Sequence, residues 1–143
     1  MGRPLPPDSD AVRRTRALAF LAFYSIAYVV AGLYPFDFDL ARTVRFYPIG
    51  TWDDVVENIV AFMPFGLAFA LAPLARRPCL ATAIFCTLLA LCIECLQIFI
   101  PQRFPQISDV ICNAAGGWFG AWSGSRLGRA RSEAHRSSRS RYG

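Results

Sequence analysis

The chain has no lysine, one histidine (His135, near the C-terminus) and long stretches without charge of either sign. No charged residue occurs in 17–36, 58–75 or 110–125, and between 78 and 102 the only one is Glu94. Together with 55% hydrophobic and 14% aromatic residues in a chain of 143, such blocks exclude an ordinary soluble domain of this size. A bilayer core takes about 20 apolar residues of helix, range ~17–25, so the first three blocks qualify and the fourth is short. Four membrane helices is the natural count. The five cysteines are odd in number and all lie in apolar blocks, which excludes a disulfide framework. Cys92 and Cys95 have C-x-x-C spacing, but no second pair or nearby histidine completes a metal site, and they read as small core residues.

With lysine absent, arginine alone sets orientation. Arg3, Arg13, Arg14 and Arg16 precede the first block, Arg76 and Arg77 separate the second and third, and Arg126, Arg129, Arg131, Arg136, Arg139 and Arg141 follow the fourth. Only Arg42, Arg45 and Arg103 fall in the other two connections. The positive-inside rule then puts both termini and the Arg76–Arg77 turn in the cytoplasm and the two long polar loops outside. A cleaved signal peptide is disfavoured for the first block, because its apolar core is long, no small-x-small site follows cleanly and further spans come after it.

The expected organisation is a flexible cytoplasmic lead (1–16), an all-α integral membrane bundle (17–125) and an Arg-rich disordered cytoplasmic tail (126–143). The bundle's helices are expected at 17–34, 53–76, 78–100 and 108–123, with aromatic residues of the first outer loop (Phe36, Phe38, Phe46, Tyr47, Trp52) as interfacial anchors. The tail is basic enough to be drawn to anionic lipid, by about 1 kcal/mol per charge near the surface. No nucleic-acid partner is expected, since no folded surface accompanies the charge.

Two features organise the bundle. Asp54 and Asn58 open the second helix as Asp-Val-x-x-Asn, and Asp109 and Asn113 open the fourth in the same way; Gly66 and Gly120 follow eight and seven residues past the Asn. Each copy follows an outer loop, so the bundle reads as two helical hairpins in parallel, related about the membrane normal. Gly116, Gly120 and Gly124 form a small-x3-small row that lets helix backbones approach closely.

Polar residues converge on one level. Glu94 and Gln97 share a helix face, as do Asp54 with Asn58 and Asp109 with Asn113. Glu94 lies about 10 Å below Pro101 at the rise of an α-helix, so three helices present a polar turn at the extracytoplasmic end. Arg103, in the last outer loop, carries a donor fork suited to a carboxylate or a phosphate. Asp53, Asp54, Glu57, Glu94 and Asp109 would face it, giving a site rich in negative charge. An ionisable group at a membrane helix centre costs about 2.5–3.5 kcal/mol on insertion scales, which points such residues toward function or specific packing.

The joint spacing of Glu94, Gln97, Pro101, Arg103, Asp109, Asn113, Gly116 and Gly120, with Asp54, Asn58, Pro64 and Gly66 in the first half, resembles the signature of the VanZ-like membrane proteins. The resemblance spans roughly residues 20–122, with Gly117 and the two tails as departures. It implies a small multi-helix protein of the bacterial inner membrane, in a family whose founding member is linked to teicoplanin resistance and whose biochemical activity is not settled.

Three functional readings follow, beside a purely structural polar lock. In the first, Asp54, Asn58, Glu94, Gln97, Arg103, Asp109 and Asn113 bind an envelope ligand: a lipid headgroup, a lipid-linked wall precursor or a glycopeptide. In the second, a membrane enzyme uses Glu94 or Asp109 as general acid or base and Arg103 as electrophilic partner, without a histidine or an obvious nucleophile. Ser108 is a helix cap rather than that nucleophile. In the third, ions or protons cross with Glu94 as carrier, which four short helices allow only as a homo-oligomer. The motif assigns neither a cofactor nor a metal.

Overall fold

A computed structural model of the chain describes residues 9–41, 43, 50–72 and 74–141. Arg42, Arg45, Phe46 and Tyr47 of the first outer loop lie outside the described residues, as does most of the N-terminal lead. The described chain is all-helical: α1 Ser9–Leu33, α2 Trp52–Leu71, α3 Pro78–Gln97 and α4 Ile107–Arg141. α1, α2 and α3 are each long and apolar enough to cross a membrane. α4 falls short of that measure because Asp109, Asn113, two serines and a row of glycines occupy its first half. It is also the helix most enclosed by others, packing extensively on α2 and on α3, and so has least need of an apolar surface.

The helix ends differ from expectation where local chemistry intervenes. α2 stops at Leu71, before Arg76, because Ala72 precedes a proline and takes extended backbone (φ −109°, ψ 137°). At its start a capping box holds the first turn: the Asp54 N–H donates to Thr51 Oγ1 at 3.3 Å, and Thr51 N–H donates back to Asp54 Oδ2 at 2.8 Å. α1 begins at Ser9 inside the lead, and α4 continues helically to Arg141 through the segment expected to be disordered. Nothing after Gly124 stops it, since the sequence there is largely Arg, Ala, Ser and Leu with no proline. Arg126 adds a local contact, lying 4.1 Å over the Trp122 ring one turn back.

Glycine sets the α2–α4 contact. A Cβ on Gly116 would strike the Ile59 backbone, one on Gly120 the Met63 backbone, and one on Gly124 would crowd Leu67 and Ala70. Both helices advance by one turn between successive contacts and in the same direction, so α2 and α4 run parallel, as the hairpin repeat requires. Gly66 reciprocates from α2, lying against the backbone of Gly117, Gly120 and Ala121. Gly117, the departure from the family pattern, faces the other way and seats Cys86 and Thr82 of α3. A pair of adjacent glycines therefore lets α4 approach two helices at one level.

α1 packs most lightly, and aromatics make its contacts. Tyr24 meets Phe65 edge-on at 4.9 Å and Tyr28 meets Phe62 at 4.7 Å, pairs worth about 0.5–1.5 kcal/mol each beyond their burial. Tyr24 also donates its hydroxyl to the Ala61 carbonyl at 2.9 Å. Outward faces remain apolar: Phe23, Ile26, Val60, Ile84, Leu88 and Ile111 are all exposed, as suits a lipid-facing surface.

Candidate functional site

Parallel packing of α2 and α4 puts their two Asp-x3-Asn turns side by side, and antiparallel α3 brings Glu94 and Gln97 to the same level. The product is a cavity of about 330 Å³. Asp54, Asn58, Glu94, Gln97, Arg103, Asp109 and Asn113 all line it. Asp53, counted with the acids from sequence, is exposed and does not.

Each residue is held by an identifiable contact. Glu94 Oε2 accepts the backbone N–H of Gln106 at 2.8 Å, fixing the loop that leads into α4. Gln97 Nε2 donates to the Gly32 carbonyl at 2.8 Å, where a Cβ on Gly32 would press on Ile93. Arg103 donates from Nη2 to the carbonyls of Ala31 (3.2 Å) and Tyr34 (3.3 Å). These carbonyls belong to the last turn and the end of α1, where helical oxygens lack intrahelical partners and the dipole is negative. The arginine fork thus caps a helix, a use the sequence did not disclose. Ser108 likewise caps no helix with its side chain: its hydroxyl accepts the Gly50 N–H at 3.2 Å and ties the start of α2 to the start of α4.

Two polar lining residues stand outside the seven expected to bind ligand. Tyr28 of α1 donates its hydroxyl to Asn58 Oδ1 at 3.1 Å, and Glu57 stands at the exposed edge of the cavity. Glu57 was legible as one of the acids near Asn58. Tyr28 was not, because nothing in an uncharged block marks which tyrosine faces inward. With its oxygen engaged by Tyr28, Asn58 shares the cavity wall with Asp109, whose carboxylate accepts the Ser108 hydroxyl at 3.4 Å. Asn113 is the exception: its side chain is 4% exposed and Oδ1 has no hydrogen-bond partner. A buried, unpartnered carbonyl oxygen costs about 1–3 kcal/mol, so its persistence on a cavity wall calls for an explanation.

Chemically the cavity presents four carboxylates, from Asp54, Glu57, Glu94 and Asp109, and one guanidinium already directed at α1. Among the described residues no three acidic, cysteine or histidine side chains come together as a metal-binding set.

Comparison with known proteins places this architecture. The family model described as VanZ/LLP1 matches residues 8–127, which takes in every lining residue of the cavity. A search of curated proteins and one of solved structures each give no significant match.

Proposed function

The chain belongs to the VanZ family, and from that membership and the cavity together we propose that it is a multi-pass protein of the bacterial inner membrane whose pocket binds a polar cell-envelope ligand. Three apolar helices support the membrane setting, and the arginine asymmetry supports a pocket facing outward with both termini inside. Lipid headgroups, lipid-linked wall precursors and glycopeptides are the ligand classes such a position reaches, and the family supplies the link to teicoplanin.

One observation carries the reading: seven polar residues from α2, α3, α4 and the loop before α4 surround open space, and a buried acceptor among them, Asn113 Oδ1, has no partner. Ligand pockets commonly enclose about 300–1,000 Å³, so the volume suits a headgroup or a side-chain-sized group. A structural lock accounts for Gln97, Arg103 and the capping box at Asp54, each of which closes on backbone. It leaves Asn113 and the cavity without a purpose. The enzyme reading is less favoured, because Arg103 directs Nε and Nη2 to the end of α1.

Complementation tests the proposal. A strain lacking the protein is supplied with the wild type, Asn113→Leu or Asp109→Asn, and membrane abundance, teicoplanin susceptibility and envelope lipid profile are measured. The variants are expected to accumulate normally and to lose whichever envelope effect the wild type restores. Full restoration by Asn113→Leu, which replaces the acceptor with a larger apolar group, would overturn ligand binding in this cavity.

A further inference from the structure

The pattern of used and unused hydrogen-bonding capacity identifies the chemistry of the ligand, and this step rests on the ligand-binding reading above. We propose that the cavity receives a primary ammonium group, with Asn113 Oδ1 and the Asp109 and Glu94 carboxylates as its acceptors.

Three of the lining donors are turned to the protein itself. Gln97 Nε2 goes to Gly32, the Tyr28 hydroxyl goes to Asn58 and the Arg103 guanidinium goes to Ala31 and Tyr34. A phosphate or carboxylate entering the cavity would also meet four carboxylates of like charge. Acceptors are in surplus. Glu94 receives one backbone N–H through Oε2, Asp109 receives the Ser108 hydroxyl at 3.4 Å, and a carboxylate offers about four lone-pair sites. Asn113 Oδ1 receives nothing. The buried acceptor matters most here, since it is independent of the acidic cluster and marks the depth to which a donor must reach.

An ammonium matches on both counts. It carries three N–H donors and no acceptor, and its charge opposes the carboxylates. A quaternary ammonium has the charge but no N–H, so it would leave Asn113 unsatisfied; a neutral polyol has donors but no charge. A divalent cation asks for a tighter set of oxygen ligands, about six to eight, than these residues assemble, and among the described residues no metal-binding set is present. Two sources could deliver a primary ammonium at this level: a membrane lipid headgroup or an amine on a peptide outside the membrane.

Purified full-length protein in lipid nanodiscs separates them. One arm compares discs of phosphatidylglycerol alone with discs containing phosphatidylethanolamine or phosphatidylcholine; the other adds lysine amide or glycerol phosphate to phosphatidylglycerol discs. Thermal unfolding is the readout, with Asn113→Leu and Asp109→Asn as site variants and Gly128→Ala as a control. Phosphatidylethanolamine or lysine amide is expected to raise the melting temperature by at least about 3 °C, with the gain lost in both site variants and kept in the control. A gain from phosphatidylethanolamine alone assigns the lipid, and one from lysine amide assigns the peptide amine. Equal gains from phosphatidylcholine, or a gain from glycerol phosphate that the site variants remove, would overturn the ammonium while leaving a ligand cavity in place. No gain from any probe would overturn both.

Discussion

Arg103 Nη2 donates to the Ala31 carbonyl at 3.2 Å, joining the loop between α3 and α4 to the end of α1 across seventy-two positions of sequence. α1 is the most lightly packed helix, so this contact and the Gln97–Gly32 bond close to it add to the aromatic contacts that hold it. Hydrogen bonds from a charged donor contribute about 1.5–3 kcal/mol each. Arg103→Ala is therefore expected to loosen α1, seen as a lowered melting temperature in detergent and faster proteolysis in 34–41, while Arg103→Lys recovers part of the loss. Unchanged stability in Arg103→Ala would show that the cap contributes nothing.

The α2–α4 seam gives a sharper contrast among glycines. A Cβ on Gly120 has no room against the Met63 backbone, whereas Gly128 has nothing nearby. Gly120→Val is expected to prevent close approach and cost more than about 3 kcal/mol, beyond the usual penalty of overpacking because backbone cannot yield as a side chain can. Gly128→Ala is expected to be neutral or stabilising by up to about 1 kcal/mol from helix propensity alone. Size-exclusion profiles and thermal unfolding in detergent would distinguish the two, and equal behaviour would refute the packing assignment.

How much of this was legible depended on whether a residue's neighbours were fixed by periodicity. The Asp-x3-Asn repeat and the four-residue glycine row constrain each other: once α2 and α4 are parallel, Asp54, Asn58, Asp109 and Asn113 have to meet. Arg103 sat in a loop, where spacing gives position but no direction, so its fork was read for an anion when the bare carbonyls of α1 were its target. Tyr28 was invisible for a related reason. Which of Tyr24, Tyr28 and Tyr34 turns inward depends on how α1 is rotated, and the uncharged block around them carries no signal for that. The reach of α4 to Arg141 is not legible because apolar residues thin out beyond 123, and their periodicity is the signal that marks a helix.

Orientation rests on arginine counts and admits a direct test. Gln102 and Arg76 are both exposed and lie at opposite ends of α3. In single-cysteine versions of the protein, Gln102→Cys is expected to react with a membrane-impermeant maleimide in intact cells and Arg76→Cys only after permeabilisation. The reverse pattern would place the cavity on the cytoplasmic side and remove the outer envelope from its reach.

Asn113 offers the test in which stability and function separate. Its oxygen is buried without a partner, so an apolar side chain of similar shape relieves a desolvation cost of about 1–3 kcal/mol rather than creating one. A residue kept for packing behaves in the opposite way, since removing it breaks a contact. Asn113→Leu is thus expected to raise the melting temperature of the ligand-free protein in detergent while abolishing the ligand-dependent gain. The carboxylates beside it provide the comparison: Asp109→Asn keeps an acceptor oxygen for the Ser108 hydroxyl and is expected to leave ligand-free stability nearly unchanged. If Asn113→Leu instead unfolds the bundle, the asparagine belongs to the packing of α4, and the empty space beside it is a gap between helices with no bearing on binding.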